Sequence, residues 1–281
     1  MRWRGRRQSR NIEDRRRSGG RAAGGIGGVG LIIVLLLGYI FGIDVTPLLD
    51  GQGASLPTAQ QEPTEADDQV ATFVSVTLAD TEDVWADVFA SQLGQRYVPP
   101  VLVLFSGTTQ SACGGASAAT GPFYCPPEEK AYLDTNFFAT MERRMGAGGD
   151  FAAAYVIAHE VAHHVQNELG ILPQVNRMRA QVGQAESNAL SVRTELQADC
   201  FAGIWARKVQ EKFGTLEPGD IDEALNAARQ IGDDTLQRNA GQVVRPHTFT
   251  HGTSEQRQRW FARGLQSGQI ADCDTFSVQQ L

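Results

Sequence analysis

The residues most able to do chemistry lie in the stretch AYVIAHEVAHHVQNELG, where His159, Glu160 and His163 stand in the order H-E-x-x-H. On a helix, residues four apart share one face, one turn above the other. His159 and His163 would then present two imidazole nitrogens to a single metal ion, and zinc takes such ligands at about 2.0–2.1 Å. Glu160 would flank that pair, within reach of a metal-bound water whose proton it can take. The plainer reading is an amphipathic helix with three coincidental polar residues. The neighbouring AYVIA and VA are apolar, so the trio would be partly buried, and unpartnered buried polar groups cost about 1–3 kcal/mol each. A metal accounts for them better. His164 points about 100° away from His163 and reads as a flanking residue rather than a ligand.

A catalytic zinc needs a third protein ligand and an open position for water. The segment SVRTELQADCFAGIWARK carries Glu195 and Asp199, again four apart. Glu195 is the candidate third ligand. Asp199, one turn on, is placed to accept the free N–H of a ligand histidine and fix its tautomer. Ser191, Ala198 and Ala202 lie near the same face, so this helix can approach the metal closely, while Leu196, Ile204 and Trp205 pack elsewhere. The alternative is a solvated helix face. Water attack on a carbonyl makes an oxyanion that a second donor helps to stabilise. RPHTFTHGTSEQR offers His247 and His251. His251, in a Gly-containing loop before an expected helix, is the preferred donor, with Arg257 a weaker candidate. Asp233 and Asp234 read as an exposed helix end.

H-E-x-x-H on one helix with E-x-x-x-D on another looks like the gluzincin plan of thermolysin-like peptidases. More closely, HEVAHHVQ, TELQADCFAG, YLD and HGTSEQRQRWF together resemble the neutral zinc metallopeptidase family of bacteria. The resemblance covers most of residues 70–281, and also the basic head and apolar stretch that precede them. It implies a zincin-like α+β domain, mostly helical with a small sheet, holding one Zn2+. By the same resemblance His159, His163 and Glu195 take the ligand role, Glu160 the base role and Asp199 the supporting role behind the ligands. Thermolysin-like enzymes also use a histidine from a late segment, which favours His251 by resemblance only. The function implied is a membrane-anchored zinc endopeptidase acting on a peptide or protein. Two other readings stay open: a zinc-binding envelope scaffold without turnover, and a zinc hydrolase of another amide such as cell-wall crosslinks. Glu160 speaks against the first, since a purely structural site has no use for a base there.

These residues need elements to hold them. The motif helix is expected to start at Asp150 as N-cap, run to Leu169 and stop at Gly170. A second long helix is expected over Glu186 to Phe213, ending at Gly214. A third is capped by Asp220, and a fourth by Thr253 or Ser254 with Gly268 as its stop. Residues 97–105 read as a strand after a Pro-Pro break, and residues 130–138 as another. In zincins an edge strand at this point binds the substrate backbone by strand addition, which brings Tyr132 and Asp134 into consideration as cleft residues.

The ends of the chain carry the remaining information. The net charge of −7 hides an asymmetry: residues 1–43 hold nine arginines against Glu13 and Asp14, so the rest is strongly acidic. Residues 22–43 carry no charge, and about 20 apolar residues suffice to cross a bilayer as a helix. The expected organisation is a basic cytoplasmic head (1–21), a transmembrane anchor (22–43), a flexible linker (44–69) and a metallopeptidase domain (70–281) outside the cytoplasm of a bacterial cell. A cleaved signal peptide is the competing reading of the apolar stretch. Because the arginines sit directly before that stretch, no nucleic-acid partner is expected. Nothing in the sequence sets an oligomeric state. All four cysteines follow the apolar stretch. Three pairings are possible; Cys113 with Cys125 across a Gly-rich loop, and Cys200 with Cys273, are the expected disulfides.

Overall fold

A computed structural model describes residues 1–17, 63–117 and 120–281. In chain order the strands are β1 (Ile12–Asp14), β2 (Val101–Phe105), β3 (Thr108–Ser111), β4 (Gly114–Ser117), β5 (Phe123–Cys125) and β6 (Lys130–Asp134). The helices are α1 (Glu65–Val88), α2 (Asn136–Met145), α3 (Asp150–Glu168), α4 (Ile171–Arg179), α5 (Gln184–Phe213), α6 (Asp220–Gln230), α7 (Asp233–Asn239) and α8 (Ser254–Ser267). The fold is α+β and mostly helical, with a four-stranded sheet ordered β1-β2-β6-β5 and a separate β3–β4 hairpin.

Strand β2, VLVLF, is almost wholly buried, as a parallel strand between two neighbours should be. It pairs parallel with β1 and β6. Strand β5 closes the sheet, antiparallel to β6. Both strands expected from the sequence are shorter than their apolar patterns. Tyr97–Pro100 leads into β2 without joining it, because Pro99 and Pro100 have no N–H to donate. Asn136–Phe138 turns from strand into the first residues of α2. β6 is an inner strand, so the edge beside the cleft is β5. Tyr132 stacks on Phe123 at 4.8 Å and donates to Glu128. Asp134 is buried and caps a turn, accepting from the backbone of Gly107 and Asn136. Neither residue lines the cleft.

Helix α3 runs through the core and is buried on nearly every side, with Ala152, Ala153, Ala154, Ala158 and Ala162 allowing neighbours close. Gly149 is its N-cap, and Asp150 is its first residue rather than the cap. Gly170, at φ 73°, ends it in the left-handed conformation that glycine adopts at little cost. The tightest packing is between α5 and α8. A Cβ on Gly264 would lie 1.8 Å from the carbonyl oxygen of Cys200, and one on Gly203 would lie 2.1 Å from that of Phe261. Only glycine permits this crossing. Thr253 caps α8 in a reciprocal box with Gln256.

The expected disulfides are present, Cys113–Cys125 and Cys200–Cys273. The first ties the β3–β4 hairpin to β5; the second clips the C-terminal tail to α5.

The expected topology is corrected by residues 1–17. They pack on the same body as the metal motif. β1 adds to the sheet beside β2, with Ile12 opposite Leu102. Arg6 reaches buried Asp80 at 2.5 Å, and Arg7 pairs with Glu82 and Asp83 at 2.9 Å each. The Met1 amine lies against Asp150 at 2.5 Å and Asp220 at 3.3 Å. A head on one side of a bilayer cannot pair strands with a domain on the other. Among the described residues, moreover, no helix is long and apolar enough to cross a membrane. The single-pass localisation is therefore overturned. The apolar residues 22–43 lie outside the described residues, as does most of the expected linker. Glu65–Gln69 of that linker already form the first turn of α1, capped by Thr64 and Asp67. Acids of α1 meet part of the arginine-rich head: Asp80, Glu82 and Asp83 pair with Arg6 and Arg7, and Asp68 pairs with Arg16.

Candidate metal centre

The helical spacing of His159 and His163 brings their rings to 4.8 Å between centroids. Helix α5 crosses α3 so that Glu195 faces both. His159 Nε2 lies 3.0 Å from Glu195 Oε2, and His163 Nε2 lies 3.5 Å from Glu195 Oε1. One donor atom from each residue falls within 4.8 Å of the others. Two imidazole nitrogens and a carboxylate oxygen are the donor set of a three-ligand zinc site.

Both rings are oriented from behind. His159 Nδ1 lies 2.9 Å from Asp199 Oδ1. A carboxylate only accepts, so Nδ1 carries the proton and Nε2 keeps its lone pair for a cation. Asp199 is wholly buried and is held by Tyr155 Oη at 2.5 Å and by Arg257 through Nε and Nη2, at 2.9 Å each. His163 Nδ1 lies 2.9 Å from Gln166 Oε1. The residues present thus fit a zinc ion in donor type, convergence and tautomer.

The electrostatics agree. Burial alone would lower the pKa of His159, but Asp199 and Glu195 outweigh it and push it up to about 10. Burial likewise opposes the charge on His163, and Glu195 overcomes it. Burial raises the Glu195 carboxyl, but His163, His251 and His159 hold it well below the usual range. In the metal-free chain the same carboxylates favour a proton on the ring nitrogens that would face the cation. Glu160 lines the same cleft, of about 420 Å³, and burial raises its carboxyl against the pull of His163 and His159. That makes it a better proton acceptor than a solvated glutamate.

His251 also lines this cleft, with its side chain 49% exposed. Its loop is pinned by Asp233, whose Oδ2 accepts from the backbone N–H groups of Thr250, His251 and Gly252 at 2.8, 2.6 and 2.9 Å. Asp233 is therefore a half-buried loop anchor, not an exposed helix end, and it also faces His251 Nδ1 at 3.5 Å. Asp234 is similarly tied, to the backbone of Ser254. Arg257 is 2% exposed and committed to Asp199, which leaves it poorly placed as an oxyanion donor. His247 is exposed and is absent from the cleft wall. His164 is fully buried, between the Tyr124 hydroxyl at 2.9 Å and the Val98 carbonyl at 2.7 Å. It ties the metal helix to β5.

Sequence reasoning missed Gln166, Tyr155 and the supporting role of Arg257. Gln166 follows His163 by three residues, so it shares that face of the helix, and this is a usable signal. Tyr155 and Arg257 meet Asp199 only through the packing of α3, α5 and α8, which leaves no local mark. A second acidic group, Asp150, Asp220 and Glu223, also converges. It is already occupied by the Met1 amine, while Glu223 accepts from the Phe151 backbone at the start of α3.

A helix-borne pair of histidines, a carboxylate from a neighbouring helix and a flanking glutamate define the H-E-x-x-H class of zinc-binding proteins. The chain belongs to the family described as "putative neutral zinc metallopeptidase", which it matches over residues 1–276. It is 49% identical over 289 residues to the uncharacterized protein YpfJ of Escherichia coli K12, an alignment that spans 98% of this chain and 99% of that protein. It is 47% identical over 195 residues to the uncharacterized proteins Mb2605 of Mycobacterium bovis and Rv2575 of Mycobacterium tuberculosis, covering 66% of this chain and 65% of each relative. No solved structure matches.

Proposed function

We propose that this protein is an endopeptidase that holds one zinc ion in a zincin-like domain and hydrolyses peptide bonds. The observation that carries the reading is the convergence of His159 Nε2, His163 Nε2 and the Glu195 carboxylate beside Glu160. A bound zinc would supply Lewis acidity, acidifying a water and polarising the scissile carbonyl. The chain's own residues do the rest. Glu160 takes the proton of the attacking water and passes it to the leaving amine. His251 donates to the developing oxyanion from a loop that Asp233 keeps in place. The substrate is a peptide or protein segment laid along β5, the edge strand of the sheet, by strand addition. Phe123 and Tyr124 of β5 form one wall of the cleft, and Val156 and Leu172 add apolar lining.

The test is cleavage of a peptide library by the purified chain, with and without a chelator. Glu160→Gln is expected to abolish hydrolysis while zinc stays bound at one ion per chain; retained turnover in this variant sinks the assignment. Glu195→Ala is expected to lower the zinc content, and an unchanged metal ratio by elemental analysis removes Glu195 from the ligand set.

A further inference from the structure

The two metal histidines are supported by different chemistry. Behind His159 stands a carboxylate, Asp199. Behind His163 stands a chain of neutral amides that runs to the far side of α5. Gln166 Nε2 donates to the Thr194 carbonyl at 2.7 Å and to Gln197 Oε1 at 3.0 Å. Gln197 Nε2 in turn donates to the Cys273 carbonyl at 3.0 Å. Gln166 is fully buried and Gln197 is 5% exposed.

The two carbonyls at the ends of this chain can only accept. Each amide must therefore turn its nitrogen toward them. Gln197 then offers its oxygen to Gln166, and Gln166 offers its oxygen to His163. Flipping either amide would set nitrogen against a donor or oxygen against a carbonyl, at a buried position where a lost pairing is costly. The order of donors forces the proton of His163 onto Nδ1 and leaves Nε2 for the cation. The Cys273 carbonyl is itself held by the Cys200–Cys273 disulfide, which clips the tail to the same helix that carries Glu195.

We propose that Gln166 is the positioning residue of the second metal histidine, acting through Gln197 on the disulfide-held carbonyl of Cys273. The tail clip thereby sets how tightly the site holds its metal. This rests on the zinc reading of the site and adds to it a remote determinant of metal affinity.

The experiment measures zinc affinity of the full chain by competition with a chromophoric chelator, and the absorption bands of the cobalt-substituted protein. Gln166→Met keeps the volume and removes all three side-chain hydrogen bonds. It is expected to weaken zinc by about 10–100-fold and to shift the cobalt bands. Gln166→Glu restores an acceptor for His163 but sets its second oxygen against the Thr194 carbonyl and Gln197 Oε1, so it is expected to recover only part of the affinity. Replacing Cys200 and Cys273 together with serine is expected to weaken zinc as well. Combined with Gln166→Met, that replacement should add little, because both act through one chain of hydrogen bonds. If Gln166→Met fails to fold, Gln197→Met tests the same chain one link further from the metal. Wild-type affinity in the glutamine variants overturns the proposal, and fully additive effects overturn the part played by the disulfide. A wild-type chain that binds no zinc refutes the metal reading itself, a separate outcome.

Discussion

The arrangement around His159 and His163 makes metal uptake a proton exchange. In the metal-free chain neighbouring carboxylates favour the protonated rings: His159 is pushed up to about 10, and His163 is raised. A cation can bind only as those protons leave. The sign follows directly: acidification favours the protonated rings, so zinc affinity falls as pH falls, and uptake near pH 7.5 releases protons. Calorimetry in two buffers of different ionisation enthalpy should show a net release of protons on zinc uptake. Equal apparent heats in both buffers would show that the rings are already neutral. A second test at this scale concerns Asp233. Because one carboxylate oxygen collects three backbone N–H groups around His251, Asp233→Ala should loosen that loop. Turnover should fall by about 10-fold or more while zinc content stays at the wild-type level. Loss of zinc in this variant would mean that the loop serves the metal rather than the oxyanion.

At the scale of elements, the site exists because three helices cross closely. The α5–α8 contact has no room for a Cβ at Gly264, and this contact presses Arg257 against Asp199 behind His159. Gly264→Ala should push the helices apart and cost about 1–3 kcal/mol of stability, seen as a lowered melting temperature together with weaker zinc binding. A variant with unchanged stability and affinity would show that the crossing tolerates more space than its distances suggest. The link between α3 and β5 is the buried pair of His164 and Tyr124. His164→Leu leaves the Tyr124 hydroxyl and the Val98 carbonyl without their partner, a loss of about 1–3 kcal/mol. Hydrogen exchange in residues 120–125 should speed up while the metal ratio is unchanged.

At the scale of the whole molecule, the basic head is part of the folded body. Arg6 pairs with buried Asp80, their side chains 19% and 3% exposed. Removing Arg6 strands a buried carboxylate, so Arg6→Met should destabilise the chain by about 3 kcal/mol. Burial pushes the Asp80 carboxyl up to about 6 despite Arg6. A carboxyl raised in the folded state binds more protons there than when unfolded, so its contribution to stability falls as pH rises from about 4 to about 6. The whole effect is up to about 3 kcal/mol. Asp80→Asn should flatten that slope in a urea-unfolding series, and an unchanged slope would place the carboxyl near its ordinary value.

The sequence by itself determined the chemical vocabulary of this protein. H-E-x-x-H and E-x-x-x-D each lie within a single helix, where a four-residue spacing fixes which side chains share a face. The helix ends at Gly170, Gly214 and Gly268 were legible for the same local reason, as was the clipping of a short Gly-rich loop between Cys113 and Cys125. Tertiary structure decided everything that depends on which elements touch. Asp233 as a loop anchor, Arg257 as the partner of Asp199, and β6 as an inner strand between β2 and β5 all arise from contacts between elements rather than within one. The arginine-rich head shows the limit most clearly. Its charge pattern beside an apolar stretch is what a membrane topology would produce. Arg6 and Arg7 pair instead with Asp80, Glu82 and Asp83, and β1 adds a parallel strand to a mixed sheet. Composition records how many charges a segment carries; only the packed fold records which opposite charges meet them.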